Sequence, residues 1–384
     1  MRIALITDTY TPQVNGVTTV VRRMAETVRA ADHALAVVAP RYPDQSDVAG
    51  GSDELRVRSL PFPPYPSIRL SLPAHRRVAR FLDGFVPDLV HVATEGPLGV
   101  VGRRYALRHG LPLVTSFHTD FPKYARHYGI PWLEPLVWRW LVRFHRPARL
   151  IHTPGEAVWK ELRQRGLDRA VLWGRGADIE HFRPYRRDIG WRRWLAGADD
   201  TVVVLHVGRL APEKNLDVLV DAWTRAHALL GQRATFVIAG EGPSTRSLIS
   251  RLRFVRQLGF VDREALARLY ASADLCVLPS SSETCGLVAL EAMASGLPVI
   301  AADAGGLRET VRPNLNGLLV PPHDAAGFGD AIVALALDAP RRRAMGRAAR
   351  LTAEGRDVRT ENQELLRQYS ALTGTGIEVK PCAA

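Results

Sequence analysis

Short apolar runs alternate with longer stretches of helical period along the chain. Residues 3–6 are apolar throughout, as a central parallel strand would be. After a polar loop, Val20, Val21, Met24 and Val28 share one face of a helix predicted over 17–30. Further strands are predicted at 35–39, 55–60, 88–92, 112–117, 149–153 and 170–173, with helices at 74–82, 99–109 and 157–165. Residues 41–51 read as a polar loop, and Pro61-Phe62-Pro63-Pro64-Tyr65-Pro66 as irregular. The pattern restarts at 201–207 with a second strand, apolar but for its first residue and His206. Helices follow at 216–230, 263–272, 287–294 and 325–337. Strands are expected at 235–239, within 252–260, and at 275–279, 298–302 and 317–320. A polar helix over 358–372 follows Gly355. Such alternation predicts an α/β architecture with parallel sheets.

The stretch 182–200 carries Pro184, clustered charge and few apolar residues beyond Ile189, Trp191, Trp194 and Leu195. A boundary there gives an N-terminal domain over 1–183 and a C-terminal domain over 184–357. Residues 358–384 are then a helix, expected to cross back to the N-terminal domain, and a tail. A length of 384 residues fits two domains. The formal net charge of +12 suits acidic partners or serves solubility alone, and composition leaves both open. Arginine dominates the basic set, which suits phosphate. Cys276, Cys285 and Cys382 show no metal spacing and are odd in number, as in a reduced, cytosolic protein. The first residues read as a strand rather than a signal peptide. No apolar run approaches a membrane span, so action at a membrane would be peripheral.

The densest chemistry lies in Ser282-Glu283-Thr284-Cys285-Gly286-Leu287 and the helix that follows. Glu283 falls in the entry loop, and Glu291 about two turns into the helix. An uncapped helix start suits phosphate. A neighbouring carboxylate suits sugar hydroxyls, because it accepts two hydrogen bonds. The pattern reads as a nucleotide-sugar pocket, in which Glu291 faces a cleft or a buried partner. Gly208-Arg209-Leu210-Ala211-Pro212-Glu213-Lys214-Asn215 puts a guanidinium and an ammonium in one strand-to-helix loop, a pair able to neutralise a diphosphate. In the first half, Asp8, Glu95, His118 and Asp120 stand at carboxyl ends of strands, where open α/β sheets bind ligands. For His118 a packing or capping role weighs equally. Trp132, Trp138, Trp140 and Phe144 interleave with Arg139, Arg143 and Arg146. This is either a basic aromatic face for an anionic membrane or a core helix with one wet basic stripe.

Taken together these motifs resemble the GT-B glycosyltransferases of family four. The matching pieces are Gly208-Arg209 with Glu213-Lys214-Asn215, Gly240-Glu241-Gly242-Pro243 and Leu258-Gly259-Phe260-Val261. Glu283 and Glu291 with seven residues between them follow, then Gly296-Leu297-Pro298-Val299-Ile300, Gly305-Gly306 and Asn316-Gly317-Leu318-Leu319-Val320. The segments from Asp8 to Val17, Ser116 to Phe121, and Arg126-His127-Tyr128-Gly129 are similar to GDP-mannose-dependent α-mannosyltransferases that act on membrane glycolipids. Related branches use UDP-sugars. The resemblance implies two Rossmann-like domains facing across a cleft. The first would bind acceptor, with Tyr10, Asn15, Glu95 and Asp120 as its candidates, and the second the nucleotide sugar. It implies Arg209 and Lys214 at the diphosphate, Glu283 at sugar hydroxyls and Glu291 at the ribose. Backbone N–H groups at Cys285, Gly286 and Leu287 would meet sugar and phosphate, and Phe260 and Val261 would border the base. Gly16 and His118 would face donor phosphate and sugar. His118, Glu283, Arg209 and Lys214 are the catalytic set. Cys285 departs from the family's usual Phe, which puts donor preference in question if a ring shapes the pocket.

The implied reaction retains anomeric configuration. No Asp-x-Asp stands at a strand end to bring a metal, so Arg209 and Lys214 would carry the positive charge and no cofactor is expected beyond the donor, GDP-mannose. The expected acceptor is a glycolipid, polyprenyl carrier or glycan, met in the cytoplasm or on the inner face of the plasma membrane. A nucleic-acid-binding protein is the competing class, and no helix-turn-helix, zinc or RNP pattern supports it. A phosphorylase of this architecture needs a pyridoxal phosphate lysine, which no motif identifies.

Overall fold

The computed structural model describes residues 1–374 apart from 14, 44–52, 63–64, 73, 123–128, 175 and 199. Val14, most of the 41–51 loop, Arg126-His127-Tyr128, Arg175 and Cys382 lie outside the described residues. The chain divides into two units, Met1–Gly174 with the segment from Arg359 onward, and Arg175–Val358.

The first unit contains β1 (Arg2–Ile6), α1 (Gly16–Ala30), β2 (Ala34–Pro40), β3 (Glu54–Val57), β4 (Ser59–Phe62), β5 (Tyr65–Ser71) and α2 (His75–Phe85). It continues with β6 (Leu89–Val92), α3 (Pro97–Arg108), β7 (Leu113–Ser116), α4 (Glu134–His145), β8 (Leu150–Thr153), α5 (Glu156–Gln164) and β9 (Ala170–Leu172). Its seven-stranded sheet has the order β3-β2-β1-β6-β7-β8-β9. Ala4 pairs with Ala36 on one side and Val90 on the other, both in parallel register. Apolar runs such as Ile3 to Ile6 are fully buried because helices cover both faces of such a sheet.

Pro61, Phe62, Tyr65 and Pro66 of the proline-rich stretch are strand residues rather than irregular. β4 and β5 form a separate antiparallel ribbon in which Pro61 pairs with Arg69. A strand in a two-stranded ribbon keeps one free edge, so a proline lacking its N–H is tolerated there, and the register shifts beside Pro61. The Trp-rich segment divides between a buried and an exposed face. Trp138, Leu141 and Phe144 are buried, whereas Trp132, Leu136 and Trp140 are exposed alongside Arg139 and Arg143.

The second unit contains α6 (Ile189–Ala196), β10 (Val202–Val207), α7 (Leu216–Leu230), β11 (Ala234–Ala239), α8 (Thr245–Arg251), β12 (Arg256–Gln257), α9 (Arg263–Ser272) and β13 (Leu275–Leu278). There follow α10 (Leu287–Ala294), β14 (Val299–Ala302), α11 (Gly305–Thr310), β15 (Gly317–Val320), α12 (Ala325–Leu337) and α13 (Ala339–Glu354). Its six-stranded sheet runs β12-β11-β10-β13-β14-β15. Each sheet therefore starts in the middle, builds outward to one edge, then returns to the first strand and builds the other way. The reversals fall between β1 and β6 and between β10 and β13, and such switch points open a crevice at the strands' carboxyl ends.

The division between units falls earlier than the charged stretch suggests. Ala177 pairs with Asp357, and Ile179 and Phe182 join the core of the second unit. The last helix, α14 (Val358–Thr373), packs with the first unit. Its Tyr369 and Gln368 side chains meet His91 and His152, and Trp173 Nε1 donates to the Glu361 carbonyl at 3.1 Å.

Candidate active site

In the second unit the switch point gathers the charged motifs. β10 ends at Gly208-Arg209, and a single 3-10 turn at Pro212–Lys214 leads to Asn215, which is left-handed at φ 52° and opens α7. The Asn215 amide donates to the Pro279 carbonyl at 3.0 Å and to Ser281 Oγ at 3.1 Å. Ser282 Oγ donates to the Glu213 carbonyl at 3.0 Å, and Ser280 Oγ to the same oxygen at 3.3 Å. These bonds stitch the turn to the loop after β13 and bring two distant motifs together. Lys214 Nζ and Glu283 Oε1 form an ion pair, and Arg209 pairs with the fully buried Glu213. Burial works to raise the Glu283 carboxyl, but the Lys214 charge, with help from Ser280 and His206, holds it below the usual carboxylate range.

The Glu283 backbone lies against the start of α11. The Gly306 N–H donates to the Glu283 carbonyl at 2.8 Å, and a Cβ at Gly305 would sit 2.4 Å from that oxygen. Only a glycine permits this approach. Gly286 precedes α10 in the left-handed region at φ 72°, and no side chain caps the helix. The first N–H groups of α10 follow Glu283 closely in the chain and have no side-chain partner at the cap, an arrangement suited to an anion. Cys285 is buried in the core cluster beneath α10, so its loop offers backbone rather than side chain. Glu291 is half-buried, and its charge adds to burial in pushing the Tyr270 hydroxyl well above its usual value. The Phe260 ring is exposed, its N–H donates to Glu241 Oε1 at 3.3 Å, and Val261 packs against the core. Sequence reasoning missed Ser280 and His206 and gave Ser282 no role; a lone polar residue at 206 in an otherwise apolar strand was a signal for one of them.

In the first unit the strand-end residues have structural partners. Asp8 is the cap of α3, accepting from the N–H groups of Leu98 at 2.9 Å and Gly99 at 3.2 Å and from Thr94 Oγ1 at 2.9 Å. Burial pushes its carboxyl up to about 6 against these donors, and Glu95 adds to the rise. Glu95 is buried and lies 3.2 Å from His145 Nε2, while His145 Nδ1 meets Thr115 Oγ1 at 2.8 Å. Asn15 caps α1, accepting from Thr18 N at 2.8 Å, and its amide donates to Thr9 Oγ1 at 3.2 Å. Tyr10 is buried with the Arg56 guanidinium 5.2 Å from its ring centre, and Asp120 is buried as well. A Cβ added at Gly16 would meet nothing within 4 Å, so the entrance of α1 is open.

His118 follows β7 and is half-buried. Burial, then the charge of His152, lowers its imidazole to about 3. His152 is lowered to about 4 by burial, although its Nε2 donates to Gln368 Oε1 at 2.8 Å. His91, bonded to Tyr369 and to Ser116 Oγ at 2.7 Å, is held well below its usual value by burial and by the other two. Below about pH 6.5 the unfolded chain takes up protons that these native imidazoles refuse. Their contribution is thus complete above that value and lost as pH falls toward about 4 and then about 3. Asp8 has the opposite sign. Its folded carboxyl titrates near 6 against 3.8 unfolded, so it offsets part of the loss between those values. Three imidazoles outweigh one carboxyl. The melting temperature of the first unit is expected to drop by several degrees, on the order of 5 °C, between pH 7.5 and 5. Calorimetry checks this; identical melts at both pH values would mean the imidazoles are solvated.

Two family models match most of the chain. Residues 14–181 match Glycosyltransferase Family 4, and residues 201–338 match Glycosyl transferases group 1. The GDP-mannose-dependent alpha-mannosyltransferase of Mycobacterium tuberculosis is 36% identical over 380 residues, 97% of each chain. The sulfoquinovosyl transferase SQD2 of Arabidopsis thaliana is 34% identical over 332 residues, 84% of this chain and 64% of that one. Among solved structures, Anabaena Alr3699/HepE in complex with UDP and glucose superposes with a TM-score of 0.77 at 23% identity, covering 97% of this chain and all of that one.

Proposed function

The chain belongs to glycosyltransferase family 4, and from that membership we propose that it transfers mannose from GDP-mannose, with retention, to a lipid-linked or glycan acceptor at the cytoplasmic membrane face. The observation that carries the donor-site reading is the pairing of Lys214 with Glu283 beside the uncapped start of α10. The full-length similarity to a GDP-mannose-dependent enzyme supports the choice of donor. The glycosyltransferase class needs no proposal, since the family fixes it.

In this reading the bond from sugar C1 to the diphosphate oxygen breaks, and charge develops on the departing phosphate. Lys214, Arg209 and the α10 N–H groups stabilise that charge, in a position fixed before reaction. Glu283 accepts hydrogen bonds from sugar hydroxyls and Glu291 from the ribose. Phe260 and Val261 border the base, and Gly16 and His118 serve donor phosphate and sugar. The acceptor oxygen bonds to C1 on the face the diphosphate leaves, and its proton passes to a phosphate oxygen. Tyr10, Asn15, Glu95 and Asp120, committed or buried in the structure, would act at the acceptor by shaping its surroundings. The similarity to a plant sulfoquinovosyl transferase favours a second reading, a sugar other than mannose, with a UDP-sugar as the alternative donor. The test is donor consumption with a bacterial lipid extract. GDP-mannose alone should be consumed; consumption of UDP-glucose or UDP-sulfoquinovose in its place would overturn the mannosyl assignment.

A lipid acceptor requires surface docking, since among the described residues no helix is long and apolar enough to cross a membrane. On α4 and the turn before it, Trp132 is 69% exposed and Leu136 54%, with Arg139, Arg143 and Arg146 exposed nearby. Arg76 and Arg80 on α2 add charge. Aromatic and basic groups together suit an anionic interface, where each basic residue contributes about 1 kcal/mol. Vesicle sedimentation is expected to show retention on anionic but not neutral vesicles, released by salt. No retention on either would point to a soluble acceptor.

A further inference from the structure

β10 is apolar from Val202 to Leu205 and then carries His206, two residues before Gly208. Its alternate positions Val202 and Val204 pack in a core cluster with Leu219 and Trp223 of α7, where an apolar side chain at 206 would also fit the pattern. The His206 side chain is instead polar and 2% exposed. Its Nδ1 lies 2.9 Å from the Val277 carbonyl. A carbonyl only accepts, so Nδ1 carries the proton and Nε2 presents a lone pair. That Nε2 is buried and has no hydrogen-bond partner among the described residues. A buried acceptor left in this state is rare enough to call for an explanation. His206 interacts electrostatically with both Lys214 and Glu283, so it belongs to the surroundings of the ion pair. Burial lowers its imidazole to about 4, so the lone pair persists at neutral pH.

A donor sugar that hydrogen-bonds to Glu283 competes for the carboxylate that Lys214 holds. The lysine must then turn toward the diphosphate without being lost to solvent, and an ammonium has three donors to place. Resting on the diphosphate reading of Lys214, we propose that His206 is a positioning residue whose Nε2 accepts a hydrogen bond from the Lys214 ammonium as that lysine turns from Glu283 to the donor diphosphate. The bond aims the charge at the phosphate and frees Glu283 for sugar hydroxyls.

Calorimetric binding of GDP, UDP, guanosine and uridine to the full chain tests it. His206→Leu should weaken binding of the preferred diphosphate about tenfold, the effect of losing a hydrogen bond to a charged group, while its nucleoside binds within about twofold. The donor KM should rise in step. His206→Gln, which restores an acceptor, should recover most of the loss, and the leucine change should add nothing in a Lys214→Ala background. If His206→Leu does not fold, His206→Phe, which keeps a ring in the core, carries the same test. Equal weakening of nucleoside and diphosphate, no weakening, or effects that add to Lys214→Ala would each overturn the proposal. Wild-type preference for UDP over GDP would remove only the mannosyl reading. Binding of neither diphosphate would overturn the diphosphate reading and this inference together.

Discussion

Lys214→Ala is expected to lower turnover about 100-fold or more, the usual effect of removing one group that stabilises charge on a leaving oxygen. The partner left behind is Glu283, whose side chain is 21% exposed and has Ser280 and His206 nearby. Water can reach it, so the melting temperature should shift by no more than about 2 °C. With the ammonium gone, burial dominates at Glu283 and its carboxyl should rise above its present lowered value. Arg209→Ala is expected to lose as much turnover but to be less clean. Its partner Glu213 is fully buried and would lose its cation, so the melting temperature should fall as well. Both variants should be measured for kcat, KM and melting temperature. Near-normal turnover in both would remove Arg209 and Lys214 from the diphosphate.

The contrast between the two variants shows what the sequence could and could not disclose. The central strands were legible because parallel strands buried on both faces read as unbroken apolar runs, as at Val202 to Leu205. The loops after β10 and β13 were legible as motifs, since glycines and charges stand out against those runs. What brings Lys214 to Glu283 was not legible: hydrogen bonds from Asn215, Ser280 and Ser282, polar residues that a sequence offers no reason to pair. Nor was it visible that Glu213 is the buried partner of Arg209, because neighbouring charges in a loop normally read as solvated.

Helices failed where composition masked their period. α13 begins at Ala339-Pro340 and carries an arginine-rich surface, yet it buries Met345, Ala349 and Ala353 on one face. Its proline lies in the first turn, where the missing N–H costs nothing. α6 was absorbed into a charged stretch although Asp188 caps it, accepting from Trp191 N at 2.8 Å. Carboxylates at strand ends carry commitments that the sequence does not show. Asp8 and Glu95 occupy positions where ligands bind in such sheets, but one caps a helix and the other faces a buried histidine. Position relative to a strand places a side chain near a crevice; its partners decide whether it is available there.

His118 is the strand-end residue of the first unit proposed to act on the donor sugar, and His118→Ala is the second variant with a large expected effect. Its imidazole is lowered to about 3, so at pH 7 it is neutral, able to donate from one nitrogen and accept at the other. A neutral donor and acceptor suits sugar hydroxyls, whose hydrogen bonds must orient the ring as C1 becomes cationic. Such positioning acts in the transition state, so its loss should appear in kcat rather than in nucleotide affinity. His118→Ala is expected to bind GDP within about twofold of wild type while turnover falls on the order of 100-fold. Because the imidazole titrates near 3, the wild-type rate should show no acid limb from His118 between pH 5 and 8. The structural alternative makes a different forecast. His118 interacts electrostatically with His91 and His152, and if its role is to complete that buried cluster, the alanine variant should lose melting temperature, GDP binding and turnover together. Calorimetric GDP titration beside a thermal melt separates the two, and parallel loss of all three would make His118 a residue of the fold.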